Sequence, residues 1–257
     1  MIRRQYLSLL RWTCREAWRT RFFAQCGLTC VALALFAEFA ATIAVTEAAA
    51  HRAMIYAAGL RLALIFGLAL HGATAVGRER DEGGLELLLS RPLARAVWFS
   101  GRLSGLVVVG LVALAFGVLP LFAWGEPRGV AAYAAGLAGE LVITVTASFL
   151  FALALRHVAA AFAAFVAFYL AARTMAAILL IAGGGTLDQS APATRLLVLG
   201  ARAIAYTLPD LYRFAPAEWV VYGPPGAAAL AAIAVQTLVY GALLAAIGQA
   251  DLYRRAL

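Results

Sequence analysis

The feature that most constrains this chain is a set of six apolar stretches, each long enough to cross a lipid bilayer as a helix. A membrane-spanning helix needs about 20 consecutive, mostly apolar residues. Of the 257 residues, 64% are hydrophobic and 13% are charged, whereas soluble domains average about 45–50% apolar and 25% charged. A soluble domain could not bury this much apolar surface, so lipid must be part of the solvent. The predicted spans are 22–46, 53–76, 103–124, 130–155, 158–182 and 227–248.

Short connections, such as 47–52 and 125–129, predict that neighbouring spans run antiparallel. The fold class expected is therefore an all-α, polytopic membrane protein. The chain divides into an N-terminal amphipathic helix at 1–21, a six-helix transmembrane domain at 22–248 and a tail at 249–257, the transmembrane domain including a charged segment at 77–102 and a long loop at 183–225.

The distribution of arginine predicts the orientation of these spans. All 21 basic residues are Arg, and there is no Lys. If the first residue lies inside the cell, fourteen Arg fall in cytoplasmic segments, five in outer segments and two within spans. Such an excess follows the positive-inside rule. We therefore expect a multi-pass protein of the bacterial inner membrane with both termini in the cytoplasm.

The first 20 residues have the pattern of an amphipathic helix. One arc carries Arg4, Arg11, Arg15 and Arg19, and the opposite side carries Ile2, Tyr6, Leu9, Leu10 and Ala17. A helix with a basic face and an apolar face commonly lies in the headgroup plane of a membrane. We expect this position for the segment.

The absence of Lys excludes two kinds of chemistry. The phosphate-binding loop needs a Lys that reaches the terminal phosphates, and a Schiff base needs a Lys amine. Any ATP-driven work must therefore come from another polypeptide, and we expect no catalytic residue, metal or cofactor here. Cys26 and Cys30 share a helix face, but a metal pair would need a third ligand that the sequence does not place nearby, so buried thiols are favoured.

The outer loop at 183–225 holds five of the eight prolines. The apolar stretch between Pro192 and Pro209 carries two Arg and is too short and too polar to span a membrane. It predicts a re-entrant or interfacial helix. A second short helix is predicted at 217–222, where Trp219 and Tyr222 suit headgroup depth.

Four ionisable residues fall within the predicted spans: Glu38, Arg61, Glu140 and Arg173. By their distance from the span ends, all four lie about 12–15 Å below the outer surface. Adjacent antiparallel helices could then pair Glu38 with Arg61, and Glu140 with Arg173. Intramembrane charges either line a functional path or pair with one another. An outward-facing substrate path and two structural salt bridges both remain open, and salt bridges are favoured.

The loop between the second and third spans carries the most information. Residues 77–95 read GRERDEGGLELLLSRPLAR. The paired glycines predict a turn, and Leu85, Leu88 and Leu89 then share one face of a short helix. Such a face is too apolar for a free cytoplasmic loop, so it needs a groove on this chain or on a partner.

Residues 78–95, taken with the six-span layout, resemble the cytoplasmic signature of type-2 ATP-binding-cassette (ABC) permeases. The most similar pattern is that of the single-domain permease associated with copper-site maturation of nitrous oxide reductase, which has Thr where this chain has Gly84. Residues 208–214 are also similar to the Pro-containing outer segment of that family.

The resemblance implies a cytoplasmic coupling helix that docks on a separate ATPase subunit, with two copies of this chain pairing with two ATPase subunits. The coupling residues it implies are Arg78, Arg80, Glu82, Leu85, Glu86, Leu88, Leu89 and Arg95. Export is the direction expected, the permease itself is not an enzyme, and the expected partners are the ATPase, a second permease copy and membrane lipid rather than nucleic acid.

Three alternatives stay open. A secondary transporter would show internal repeats, broken helices at the membrane midplane and a proton-coupling acid; Glu38 or Glu140 could be that acid, but the halves show no convincing repeat. A membrane scaffold or assembly factor would bind partners without any dependence on ATP. The 78–95 segment could also be a positive-inside anchor without a partner.

Overall fold

A computed structural model describes residues 2–44, 47–82, 94–183, 198–200, 203 and 207–254 of the chain. These residues are almost entirely helical and contain no strand, which confirms the all-α class. The helices are α1 (Ile2–Arg19), α2 (Phe22–Ile43), α3 (Ala48–Asp81), α4 (Arg95–Gly117), α5 (Leu119–Trp124), α6 (Pro127–Ala154), α7 (Val158–Gly183), a 3₁₀ turn (Leu211–Arg213), α8 (Trp219–Tyr222) and α9 (Ala227–Arg254).

Six helical stretches in the described residues are long and apolar enough to cross a membrane, as the sequence predicts. They are α2, α3, α4 together with α5, α6, α7 and α9. We call the end of the bundle that carries α1 the proximal end, which is the predicted cytoplasmic side. The end that carries residues 208–226 is called the distal end.

The second span is longer than predicted. Helix α3 has 34 residues and is therefore about 50 Å long, more than the roughly 30 Å of a hydrocarbon core. The connection predicted at 47–52 is mostly the first turn of α3, and only Glu47 adopts the left-handed conformation, with φ 52°. Polar residues at a membrane surface do not end a helix, so hydropathy alone places these boundaries too far inward.

Helix α1 is present as predicted, and one of its faces packs on the bundle. Leu9, Thr13 and Ala17 are buried against the bundle. Two glycines of α4 make this approach possible: a Cβ at Gly105 would lie 2.6 Å from the Thr13 Cβ, and one at Gly101 would lie 3.0 Å from the Leu9 Cβ. The chain then reverses into α2 at Arg21, which has φ 58°.

Helix α6 is the centre of the bundle, whereas α2 and α9 are peripheral. Most of α6 is buried among α3, α4, α7 and α9. By contrast, α2 buries only Phe22, Ala37 and Ala41. The exposed faces of α2 and α9 are rich in Leu, Val and Phe, which suits side chains that face lipid.

Candidate functional site

The described part of the distal loop enters the bundle and rests on α6. Leu211, Phe214 and Ala215 are fully buried, and the Ala215 amide nitrogen would lie 3.0 Å from a Cβ at Gly136 of α6. The predicted short helix at 217–222 is present as α8. The re-entrant helix predicted between Pro192 and Pro209 lies mostly outside the described residues.

A distal polar cluster surrounds Glu140, a fully buried residue of α6. Arg173 of α7 places its Nη1 atom 3.2 Å from the Glu140 Oε1 atom, and the Tyr169 hydroxyl donates to the same oxygen at 3.1 Å. The sequence-based pairing of Glu140 with Arg173 is therefore present. The two partners come from adjacent antiparallel helices at the same depth, as the prediction requires.

Two arginines of this distal cluster hold the irregular loop by its backbone. Arg173 Nη1 donates to the Leu211 carbonyl oxygen at 2.7 Å, and Arg61 Nη1 donates to the Ala215 carbonyl oxygen at 3.1 Å. Irregular backbone at membrane depth is tolerated only where protein or water satisfies its polar groups. The distal charges thus anchor the loop, which supports the structural interpretation over a substrate path.

The predicted pairing of Glu38 with Arg61 is wrong. Glu38 instead pairs with Arg52, whose Nη1 atom lies 3.0 Å from the Glu38 Oε2 atom, and the guanidinium of Arg52 also lies over the Trp124 ring. The reason is the early start of α3 at Ala48. Arg52 is in the first turns of α3, level with Glu38 near the end of α2, whereas Arg61 lies deeper, beside the buried loop.

A proximal ionic cluster surrounds Arg102 of α4, which has no exposed surface. Its Nη2 atom lies 2.6 Å from Glu16 Oε2 and 2.5 Å from Glu79 Oε1. Its Nη1 atom donates to the Thr13 Oγ1 atom at 2.9 Å, and the face of the Trp12 ring lies 4.4 Å from its guanidinium carbon. One guanidinium therefore joins three elements, α1, α3 and α4.

Sequence reasoning missed the proximal ionic cluster. The sequence treats Arg102 only as one of the cytoplasmic positive charges, and it predicts that the third span begins after this residue, at 103. A possible signal was the spacing of polar residues just inside three apolar stretches: Glu16 in the apolar side of the amphipathic helix, and Glu79 and Arg102 beside the second and third spans. Nothing in their spacing shows that they meet.

Two of the implied coupling residues bind backbone carbonyls in the bundle. Arg80 donates to the carbonyl oxygens of Ala152, Leu155 and Arg156 at 2.9, 2.8 and 3.0 Å, and so caps the C-terminal end of α6. A cation suits that end because the last carbonyls of a helix have no intrahelical donor. Arg95 donates to the Leu252 carbonyl oxygen of α9 at 3.2 Å.

Of the other implied coupling residues, two are exposed at the end of α3 and four lie outside the described residues. Arg78 is half-exposed and lies 3.7 Å from the Glu16 carboxylate, and Glu82 is exposed at the end of α3. The remaining four, Leu85, Glu86, Leu88 and Leu89, lie outside the described residues. The ends of α3 and α4 thus frame the 83–93 segment with arginines that are fixed to the bundle.

The three cysteines are free thiols and are partly buried. Among the described residues, no group of three or more His, Cys, Asp or Glu side chains is arranged to hold a metal ion. Cys26 and Cys30 pack beside the core from α2, which agrees with the favoured interpretation as buried thiols.

No protein-family model matches the chain, and no curated protein matches it in a sequence search. The six apolar helices are compatible with a membrane transporter subunit.

Proposed function

We propose that the protein is the transmembrane permease subunit of an ABC transporter, and that it couples ATP hydrolysis on a separate subunit to the export of a substrate. The observation that carries this proposal is the proximal ionic cluster, in which Arg102 joins α1 to both helices that flank the 83–93 segment. The motif at 78–95, which resembles the coupling segment of type-2 permeases, supplies the identity of the partner.

The mechanical argument starts from the ends of α3 and α4. A docked ATPase can move a membrane helix only if rigid contacts connect the cytoplasmic segment on which it docks to that helix. Arg102 ties the start of α4 to the end of α3 through Glu79. Arg80 ties the same end of α3 to α6, the central helix. Displacement of the 83–93 segment would therefore move α3, α4 and α6 together.

The N-terminal helix belongs to the same unit. Glu16 of α1 contacts Arg102, and Thr13 of α1 accepts a hydrogen bond from Arg102. A movement of α4 would therefore move α1 with it. Exposed arginines on the other side of α1, such as Arg11 and Arg15, remain available for anionic headgroups or for an ATPase surface. At the proximal end, α1, α3 and α4 are thus joined into one unit rather than separate loops.

The distal cluster bears on the secondary-transporter alternative. A proton-coupling acid needs access to water in at least one state, but Glu140 has no exposed surface and pairs with Arg173 beside a hydrogen-bonded loop. Its surroundings favour an anchoring role. Since the chain contains no Lys and hence no phosphate-binding loop, ATP is the proposed energy source only through a partner.

The test is a mild-detergent purification of the tagged chain from its native host, followed by mass spectrometry and an ATPase assay on the eluate. We expect an ABC ATPase to co-purify, and to be lost when Glu82, Glu86 and Leu88 are all replaced by Ala. The matched control replaces Glu47 and Glu218, two exposed acids of the distal end, and should retain the ATPase. Recovery of intact protein without any ATPase, under conditions that preserve a known ABC transporter, would overturn the proposal.

A further inference from the structure

A cavity of about 430 Å³ lies between α2 and α3 at the proximal half of the bundle. Cavities of roughly 300–1,000 Å³ are the usual size of small-molecule sites. Its walls combine apolar side chains with polar ones, among them Thr29, Thr74 and His71, and Arg78 lies at its proximal end. We call it the α2–α3 cavity.

One polar atom of the α2–α3 cavity calls for a partner. His71 is about nine-tenths buried, and its Nε2 atom is buried with no hydrogen-bond partner among the described residues. The ring is held in place against Phe22, with ring centroids 4.6 Å apart. A buried polar atom without a partner destabilises the fold, because it has lost its hydrogen bond to water. A ligand carbonyl or hydroxyl group in the cavity would remove that destabilisation.

The dimensions of the cavity match one leaflet of a bilayer. Its wall on α2 runs from Phe22 to Cys30, which is about 12 Å at the helical rise. Arg78 follows His71 on α3 by two turns, which places it about 10 Å closer to the proximal surface. Half a bilayer with its headgroups is about 20–22 Å thick. The cavity thus extends from headgroup depth to near the midplane.

The charge at the proximal mouth favours an anion. Arg78 is half-exposed, and its nearest carboxylate, that of Glu16, is 3.7 Å away and already lies 2.6 Å from Arg102. Arg19 and Arg21 are exposed on either side of Thr20, which lines the mouth. Each Arg near the surface attracts an anionic lipid by about 1 kcal/mol.

We propose that the α2–α3 cavity binds one anionic phospholipid of the proximal leaflet, with its phosphate at Arg78, an ester carbonyl at His71 Nε2 and one acyl chain along α2 as far as Cys30. This inference does not depend on the proposed transport function. It concerns a lipid held by the bundle, whichever partner docks at 83–93.

Glycines provide a matched pair of variants for the test. A Cβ at Gly67 meets nothing within 4 Å, and Gly67 lines the α2–α3 cavity, so the side chain of Gly67→Leu starts in open space and takes up part of the cavity. Gly27 also has open space, but it lines a second cavity of about 600 Å³ between α2 and α4. Gly27→Leu places the same side chain in that second cavity, whose walls carry no orphaned buried nitrogen, and serves as the control.

The experiment reconstitutes the purified full chain into phosphatidylcholine vesicles that contain a small fraction of phosphatidylglycerol with a photoreactive group at the end of one acyl chain. After irradiation, cross-linked peptides are identified by mass spectrometry. We expect cross-links concentrated at Leu60 and Ala63, which line the α2–α3 cavity and not the second cavity, lost in Gly67→Leu and retained in Gly27→Leu. Both variants must elute as monodisperse protein with the wild-type unfolding temperature.

Two further variants test the polar contacts. Arg78→Gln should lower the preference for phosphatidylglycerol over a phosphatidylcholine probe about fivefold, while His71→Phe, which keeps a ring but no nitrogen, should lower the yield with both probes. Equal cross-linking at these cavity residues and at the exposed Leu238 and Val239 of α9 would overturn the proposal. So would unchanged cross-linking in Gly67→Leu.

Discussion

Arg102 and Glu140 are the two charged residues of the described part of the chain that have no exposed surface. Arg102 depends on Glu16, Glu79 and Thr13 to replace water around its guanidinium. Its planar cation places Nη2 beside both carboxylates while Nη1 donates to the Thr13 hydroxyl. The cluster therefore depends on Arg itself rather than on a positive charge alone.

Removal of this arginine should destabilise the protein strongly. Arg102→Met leaves the buried Glu79 carboxylate without its cation and leaves Glu16 with Arg78 alone, and breaking a buried pair costs about 3–5 kcal/mol. We expect a clear fall in the unfolding temperature in detergent, measured by the loss of monodisperse protein on heating. Arg102→Lys should recover only part of it. Arg128→Met, at an exposed position, is the control, and equal stability of the Arg102 and Arg128 variants would contradict the assignment.

The intramembrane charges allow a comparison of a real pair with a predicted pair that does not form. A double-mutant cycle on Glu140 and Arg173 should show a coupling of about 1 kcal/mol or more, because contacting residues do not act additively. The same cycle on Glu38 and Arg61 should be additive to within about 0.5 kcal/mol. Unfolding temperatures of the single and double Met variants measure both. Strong coupling between Glu38 and Arg61 would show that the corrected pairing is itself mistaken.

At the scale of elements, neighbouring segments approach closely where a helix carries glycine. Gly101 and Gly105 of α4 admit α1, and Gly129 and Gly136 of α6 admit the distal loop. Small residues at such crossings let backbones approach within membranes. The amphipathic pattern of residues 1–20 predicts only that α1 has an apolar face, while the glycines of α4 decide what that face contacts.

A larger residue at Gly105 should displace α1. The Cβ of Gly105→Leu would lie 2.6 Å from the Thr13 Cβ, so α1 must move away and expose Cys14. Burial raises the pKa of the Cys14 thiol, and only the thiolate reacts. In a background with Cys26 and Cys30 replaced by Ser, displacement should lower that pKa and shift the pH profile of maleimide labelling to lower pH.

Gly226→Leu provides the control for this variant, because a Cβ there meets nothing within 4 Å. Its labelling rate and pH profile should match those of the parent. An unchanged rate in Gly105→Leu, with the protein still folded, would mean that α1 does not depend on close contact with α4.

On the scale of the whole molecule, α6 organises the bundle and the other helices are arranged around it. Arg80 caps its C-terminal end, Glu140 holds the distal cluster near its middle, and its glycines receive the distal loop. The peripheral α2 and α9 bury few residues. Because six spans connect the two ends, α1 and the end of α9 lie on the same side.

This arrangement predicts the accessibility of three exposed positions. In a cysteine-free background, Tyr222→Cys should react with a membrane-impermeant maleimide added outside intact cells. Ser8→Cys and Tyr253→Cys should react only after the cells are permeabilised. The residues are exposed at the distal end and the proximal end respectively, and the positive-inside rule predicts a cytoplasmic proximal end. Labelling of Ser8→Cys in intact cells would reverse the orientation.

The sequence by itself determined the solvent of this protein, its helical class and its six spans, because a bilayer requires about 20 apolar residues in every crossing helix. It also determined that Glu140 and Arg173 could pair, since depth along two adjacent helices is a local count. The tertiary structure alone decided that Arg61 binds the distal loop and that Glu16, Glu79 and Arg102 meet. Such contacts depend on how each helix is rotated and where it begins, and the spacing of residues along a single helix does not specify either.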